Sequence, residues 1–292
     1  MRKIIWIFLM GIPAFTALQA QNRVNSNKTK QINSEIMENQ KSTTTFPVTP
    51  GLQNKIRIAY IDEPPFYWTD ENGKVKGADI ELAEVILQAI GITNIVYEHT
   101  TFEQLLPGVQ TGRWDMNVPI FVTPERSEDV AFSIPVWALG DGFVVLQGNP
   151  KQLTDYKAVA LRADARLGII PGQVQLQRAK AAGVTDHQII FLKDQHEAVE
   201  ALLSGRIDAF AATALGNHSI AQANPGLESV AHKIGKDEKV TVGGFSFSKN
   251  NPELLKAVNE QLHQFLGTPE HREKMAKYGI TATEIDEVAD AK

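Results

Sequence analysis

Three short stretches combine charged, polar and aromatic side chains where strands should end. Glu63-Pro64-Pro65-Phe66-Tyr67-Trp68 follows a first apolar strand, Phe102 opens a helix, and Phe121-Val122-Thr123-Pro124-Glu125-Arg126 follows a strand closing near Ile120. In open parallel sheets ligands gather at the carboxyl ends of strands, so all three stretches should border one cleft. Such a cleft offers recognition by charge, hydrogen bond and ring face. Covalent chemistry lacks its usual carriers: the chain has no cysteine, no Gly-x-Ser-x-Gly elbow, no Walker loop, no Gly-x-Gly-x-x-Gly and no His-Glu-x-x-His. The 7 histidines are scattered without ligand spacing, so no catalytic residue, metal or cofactor is expected.

The elements that must position these residues are legible as alternation. Ile56, Ile58 and Tyr60 give a strand; Leu82, Ala83, Ile86, Leu87 and Ile90 recur at helical spacing and Gly91 follows as a stop. Strand-like runs recur at Met116 to Ile120, Phe143 to Leu146, Leu167 to Ile170, Ile189 to Leu192 and Ala209 to Ala212, mostly with helical patterns between them. The expected class is therefore α/β with largely parallel sheets. One pattern occurs twice: Leu105, Leu106 and Val109 before Gly112-Arg113-Trp114-Asp115, and Ala198, Val199 and Leu202 before Gly205-Arg206-Ile207-Asp208. This is either a common helix-to-strand turn met twice or two lobes built on one plan. Two extended, glycine-containing segments, Gly140 to Gln147 and Val240 to Phe247, bracket a middle block and would make a two-strand hinge.

Composition bounds the rest. The chain has 292 residues and a net charge of −5, which argues against a nucleic-acid partner. Arg2 and Lys3, the apolar stretch from Ile4 to Leu18 and the small Ala20 have the layout of a secretory signal peptide over residues 1–20. Residues 21–50 are rich in Asn, Gln, Lys, Ser and Thr and read as a flexible leader. The remainder divides into a first lobe from residues 51–146 and 246–292 and a second from 147–245. An exported chain without cysteine fits a disulfide-free protein diffusing in a periplasm with no lipid tether, and a monomer is expected.

The quoted segments, together with Gly77-Ala78-Asp79-Ile80-Glu81-Leu82-Ala83 and Phe132-Ser133, run in order from about Lys55 to Tyr278. This ordered set resembles the polar amino-acid-binding family of periplasmic receptors, whose type II fold has two lobes, each a mostly parallel sheet flanked by helices. The resemblance implies the substrate-binding subunit of an ABC importer, partnered by a membrane permease, with no enzymatic activity. It puts the arginine that grips the ligand carboxylate at Arg126, whose planar guanidinium suits a bidentate bond. It puts backbone donors to that carboxylate at Gly172, Gln173 and Val174. Where amino-acid receptors place an aspartate for the α-ammonium, this sequence has Thr213. The subgroup it most resembles is the ectoine and hydroxyectoine receptors. That likeness puts Phe66, Phe102 and Phe121 in an aromatic enclosure, Glu63 on its carboxylate, and a small zwitterion with a delocalised cation in the cleft. A polar amino-acid receptor using Glu63 for the ammonium is the alternative. A third option is a cyclohexadienyl or arogenate dehydratase on the same fold, with Glu63 as the acid.

Overall fold

A computed structural model describes residues 53–233 and 241–289. The expected signal peptide and leader lie outside those residues. The first sheet has β1 (Lys55–Tyr60), β4 (Asn94–His99), β5 (Met116–Phe121), β6 (Ala131–Phe132), β7 (Trp137–Leu139) and β13 (Thr241–Phe247). Its order is β4-β1-β5-β13-β6, with β7 also on β13. β4, β1 and β5 are parallel, and β13 runs antiparallel to β5. A two-stranded ribbon, β2 (Trp68–Thr69) and β3 (Val75–Lys76), leads to α1 (Ala78–Ala89). α2 (Phe102–Gln110) and the short α3 (Pro124–Asp129) flank β5 in the chain.

The second sheet has β8 (Asp141–Leu146), β9 (Leu167–Ile169), β10 (Ile189–Phe191), β11 (Ala209–Thr213) and β12 (Leu227–Ala231), in the order β10-β9-β11-β8-β12. Here too three strands are parallel and the fourth, β8, is antiparallel. α4 (Tyr156–Leu161), α5 (Gln175–Ala181), α6 (Gln195–Leu203) and α7 (Ala214–Ala223) connect them. Alternate residues face alternate layers: Ala209 and Ala211 join one apolar cluster with Phe143 and Val145, while Phe210 and Ala212 join the other with Val144. A sheet covered on both faces explains why these strands read as unbroken apolar runs. α8 (Pro252–Phe265), α9 (Pro269–Ala276) and α10 (Ala282–Ala289) return to the first sheet, whose core includes Leu254, Val258 and Met275.

The repeated pattern extends to tertiary contacts. Gly112 and Gly205 have φ of 76° and 69°, the left-handed turn that ends each helix. Asp115 Oδ2 then accepts the backbone N–H of Arg57 at 2.8 Å, and Asp208 Oδ2 accepts that of Arg166 at 2.8 Å. Each arginine also donates its Nε–H to the same carboxylate. The same clasp ties a helix-to-strand turn to the first parallel strand of each sheet, which favours two lobes on one plan.

The expected lobe boundaries need correction. β8 belongs to the second sheet through its pairing with β11 and β12, so the first crossing falls at Gly140, not after Leu146. β13 belongs wholly to the first sheet, so that lobe resumes at Thr241, not at residue 246. The reason is the same at both places: the antiparallel strand beside each parallel trio is the one that arrives from the other lobe.

Candidate ligand cleft

β1 ends at Tyr60 and hands the chain to a tight loop. Glu63 N–H donates to Tyr67 O at 2.7 Å and Phe66 N–H to Glu63 O at 3.0 Å, which turns both side chains to one side. The amino end of α1 then docks under the loop, with Ala78 N–H on Pro65 O and Asp79 N–H on Phe66 O, both at 3.0 Å. Gly77 permits this approach: its φ is 135°, and a Cβ there would stand 2.2 Å from Phe66 O.

Glu63 is buried, and its Oε2 accepts the Tyr67 hydroxyl at 3.1 Å. Burial pushes its carboxyl up to about 7, the Tyr67 hydrogen bond opposing only in part. Asp79 is fully buried beside it and accepts the Trp137 Nε1–H at 3.2 Å. Burial also drives the Asp79 carboxyl well above its ordinary range, and the neighbouring Glu63 adds to the effect.

Phe121 closes β5 and Trp137 opens β7. Their rings meet edge to face at 5.4 Å, and Phe66 lies 6.0 Å from Trp137. Gly243 on β13 admits the indole, because a Cβ at that position would sit 2.0 Å from the Trp137 ring. Two rings already carry a cation: the Arg126 guanidinium lies 5.3 Å from the centre of Phe102, and that of Arg178 lies 5.3 Å from Phe121. Arg178 itself reaches Asp141 at 2.6 Å and Thr241 Oγ1 at 2.5 Å, joining the second lobe to the first.

Arg126 stands in the first turn of α3, where Thr123 Oγ1 accepts its backbone N–H at 3.2 Å. Its guanidinium donates to Phe121 O at 2.6 Å and across the lobes to Gly172 O at 2.9 Å. It has no carboxylate partner among the described residues. Loss of solvent lowers its pKa to about 10, so it stays charged at neutral pH.

Glu63, Phe66, Phe102, Phe121, Arg126, Gln173, Val174 and Thr213 all line one cleft of about 360 Å³ with the solvent at its mouth included. Gly172 is not among the lining residues; its carbonyl is held by Arg126. Of the backbone donors expected in this turn, Gln173 N–H bonds to Ile170 O at 3.3 Å. The Gln173 side chain is the feature aimed at the cleft: its Oε1 is buried with no hydrogen-bond partner. Thr213 Oγ1 caps α7 by accepting Gly216 N–H at 3.1 Å, so its hydroxyl is already engaged in the fold. Tyr67 and Gln175 also line the cleft and were not anticipated. Trp137 also lines the cleft, whereas Trp68 packs on Tyr278 at 6.2 Å. No group of three metal-ligating side chains forms among the described residues.

Known proteins resemble this chain in sequence and fold. The chain is 34% identical over 245 residues to a probable amino-acid ABC transporter periplasmic-binding protein of Sinorhizobium fredii, covering 80% of each. It is 25% identical over 251 residues to a probable histidine-binding protein of Campylobacter jejuni, covering 86% of this chain and 88% of the relative. Among solved structures, EhuB in complex with hydroxyectoine superposes with a TM-score of 0.73 at 29% identity, covering 82% of this chain and 96% of that one. An ancestral arginine-binding protein bound to glutamine superposes with a TM-score of 0.69 at 25% identity, covering 78% and 98%. The family model for bacterial extracellular solute-binding proteins, family 3, matches residues 56–281, and this chain belongs to that family.

Proposed function

We propose that the protein is the periplasmic substrate-binding subunit of an ABC importer, closing its lobes over one small zwitterion of the ectoine or hydroxyectoine type. One observation carries the reading. Glu63 and Arg126 face the same cleft, are of opposite charge, and neither has an ion-pair partner among the described residues. Buried charges without counter-charges are costly, and a dipolar guest answers both at once. Among the described lining residues Glu63 is the only acid and Arg126 the only base, so the guest that balances the cleft is net neutral.

The acceptors narrow the cation. Glu63 accepts one bond from Tyr67, and Gln173 Oε1 accepts none. A cation bearing N–H groups satisfies both, whereas a quaternary ammonium leaves both unmet at about 1–3 kcal/mol each. This favours a cyclic amidinium or an amino acid over a betaine. The aromatic walls of Phe66 and Trp137 suit the amidinium, whose charge is spread and weakly hydrated.

A polar amino acid is the second reading, favoured by relatives named as amino-acid, histidine and arginine binders. It requires Glu63 to be the one carboxylate that meets the α-ammonium, since β11 ends on Thr213 and not on a carboxylate. The test is a calorimetric panel of ectoine, hydroxyectoine, glycine betaine, glutamine, histidine and arginine. Ectoine or hydroxyectoine should bind tightest and betaine weakly. Tighter binding of an ordinary amino acid than of either ectoine would replace the first reading with the second.

A further inference from the structure

Beside the ligand cleft a second chamber opens between the same two lobes, about 990 Å³ with the solvent at its mouth included. Glu63 and Phe102 line both spaces. We propose that this chamber receives a neutral, hydrogen-bonding tail carried by the zwitterion, so that the protein takes zwitterionic conjugates longer than a compact ring or a short amino acid. The proposal rests on the head-group reading above.

The chamber contains a polar group prepared for something the protein does not supply. Gln195, the first residue of α6, is only 8% exposed and lines the chamber, yet its Nε2 has no hydrogen-bond partner among the described residues. A buried amide left in that state costs free energy that an incoming acceptor recovers. From the opposite lobe, Thr101 holds the N-cap position of α2 but its hydroxyl does not cap the helix, which leaves that group free to meet a ligand. Nε2 itself is closed off from solvent, and a turn about the last side-chain torsion brings it into the chamber, where the amide and the exposed Thr101 hydroxyl can bind a carbonyl, carboxamide or hydroxyl.

The charges around the chamber favour a neutral tail. Asp62 is met by His99 Nε2 at 3.0 Å and by Thr69 N–H at 2.8 Å. Asp194 is used as the cap of α6, accepting Glu197 N–H at 2.9 Å, with Lys193 Nζ at 3.6 Å. His196 faces Glu200 at 3.3 Å. Asp62, Asp194 and His196 thus have local partners, Glu63 is the acid that meets the head group, and Ile61, Ile170 and the Phe102 ring offer apolar wall for a methylene chain.

Four probes with one α-amino-acid head separate the tail from the head: alanine, 2-aminohexanoate, lysine and Nε-acetyl-lysine, titrated calorimetrically beside ectoine. Nε-acetyl-lysine should bind at least ~10-fold tighter than 2-aminohexanoate or alanine, the scale of one well-made hydrogen bond. Gln195→Met should bring it down to the level of 2-aminohexanoate and leave alanine and ectoine unchanged, with the melting temperature as a control for folding. An Nε-acetyl-lysine affinity no better than that of 2-aminohexanoate, or no binding at all, overturns the second chamber. So does lysine outbinding its acetylated form, or an equal loss for every ligand in the variant. Ectoine binding retained through those failures leaves the head-group reading standing, and its absence removes both.

Discussion

Replacing Glu63 by glutamine should stabilise the ligand-free protein and destroy its function in the same step. The carboxyl is raised from 4.5 to about 7 by burial. A folded-state pKa above the unfolded one means that folding favours the protonated acid. The stabilisation from this group is complete below pH 4.5 and disappears as pH rises through about 7. At about 1.4 kcal/mol per pKa unit, ionised Glu63 costs the free protein about 3 kcal/mol at pH 8. Glutamine carries no such penalty, and Tyr67 can still bond to its carbonyl oxygen. For a chain of this size each kcal/mol moves Tm by roughly 2–4 °C, so the variant should melt about 6–12 °C higher at pH 8. The gain should shrink steadily to about nothing near pH 4.5.

Binding should move the other way. Removing one member of a buried charge pair costs about 2–5 kcal/mol, a loss of at least ~30-fold for any cationic head group. Thermal melts at four pH values between 5 and 8, paired with calorimetry on ectoine, read both effects. The wild type should also lose affinity about tenfold per unit below pH 7, because the ligand's cation needs the ionised carboxylate. A melting difference that does not vary with pH would show that Glu63 is not a strained buried acid. Undiminished affinity in the variant would remove it from the site.

Arg126→Lys keeps the charge but not the fork, so affinity for the carboxylate end should fall by at least ~10-fold in calorimetry while the free protein melts within a few degrees of wild type. Phe121→Ala should reduce ectoine binding several-fold and also loosen Arg178 from the ring it covers; unchanged affinity would confine Phe121 to wall packing. Gly243→Ala forces a methyl into the Trp137 ring and should destabilise by about 1–3 kcal/mol, with a shift in tryptophan emission. Incubation with prephenate should give no product by absorbance, and formation of product would restore the dehydratase reading.

Residues that sit at strand ends were readable because chain order fixes them: once β1 and β5 are placed, Glu63, Phe66, Phe121 and Arg126 must gather at one edge. The groups that complete the cleft are set by contacts between distant segments. Trp137 reaches it because Gly243 leaves room for the indole and Asp79, 58 positions earlier, accepts its N–H. Periodicity carries no trace of either condition. The lobe boundaries shifted for a similar reason, since β8 and β13 are extended under either assignment and only pairing shows which sheet each joins. β4 escaped notice because Asn94–His99 is an edge strand of mostly half-buried and exposed residues, and such a strand lacks the apolar run that marks its neighbours.

The state of Arg126 bears on how the cleft discriminates. A guanidinium has five N–H donors, and two are taken by Phe121 O and Gly172 O. Those carbonyls hold it in place across the lobes without cancelling its charge, and the remaining donors suffice for a bidentate carboxylate. A purely cationic guest would answer Glu63 and leave this charge unpaired beside it. An anionic guest would answer Arg126 while keeping Glu63 protonated, which its raised pKa makes easy near neutral pH. The cleft therefore rejects cations more strongly than anions, and the difference is set by pH. At pH 6, where Glu63 is mostly protonated, acetylating the amine of a zwitterionic ligand should cost less affinity than at pH 8. A penalty equal at both values would mean that Glu63 does not read the ligand's charge.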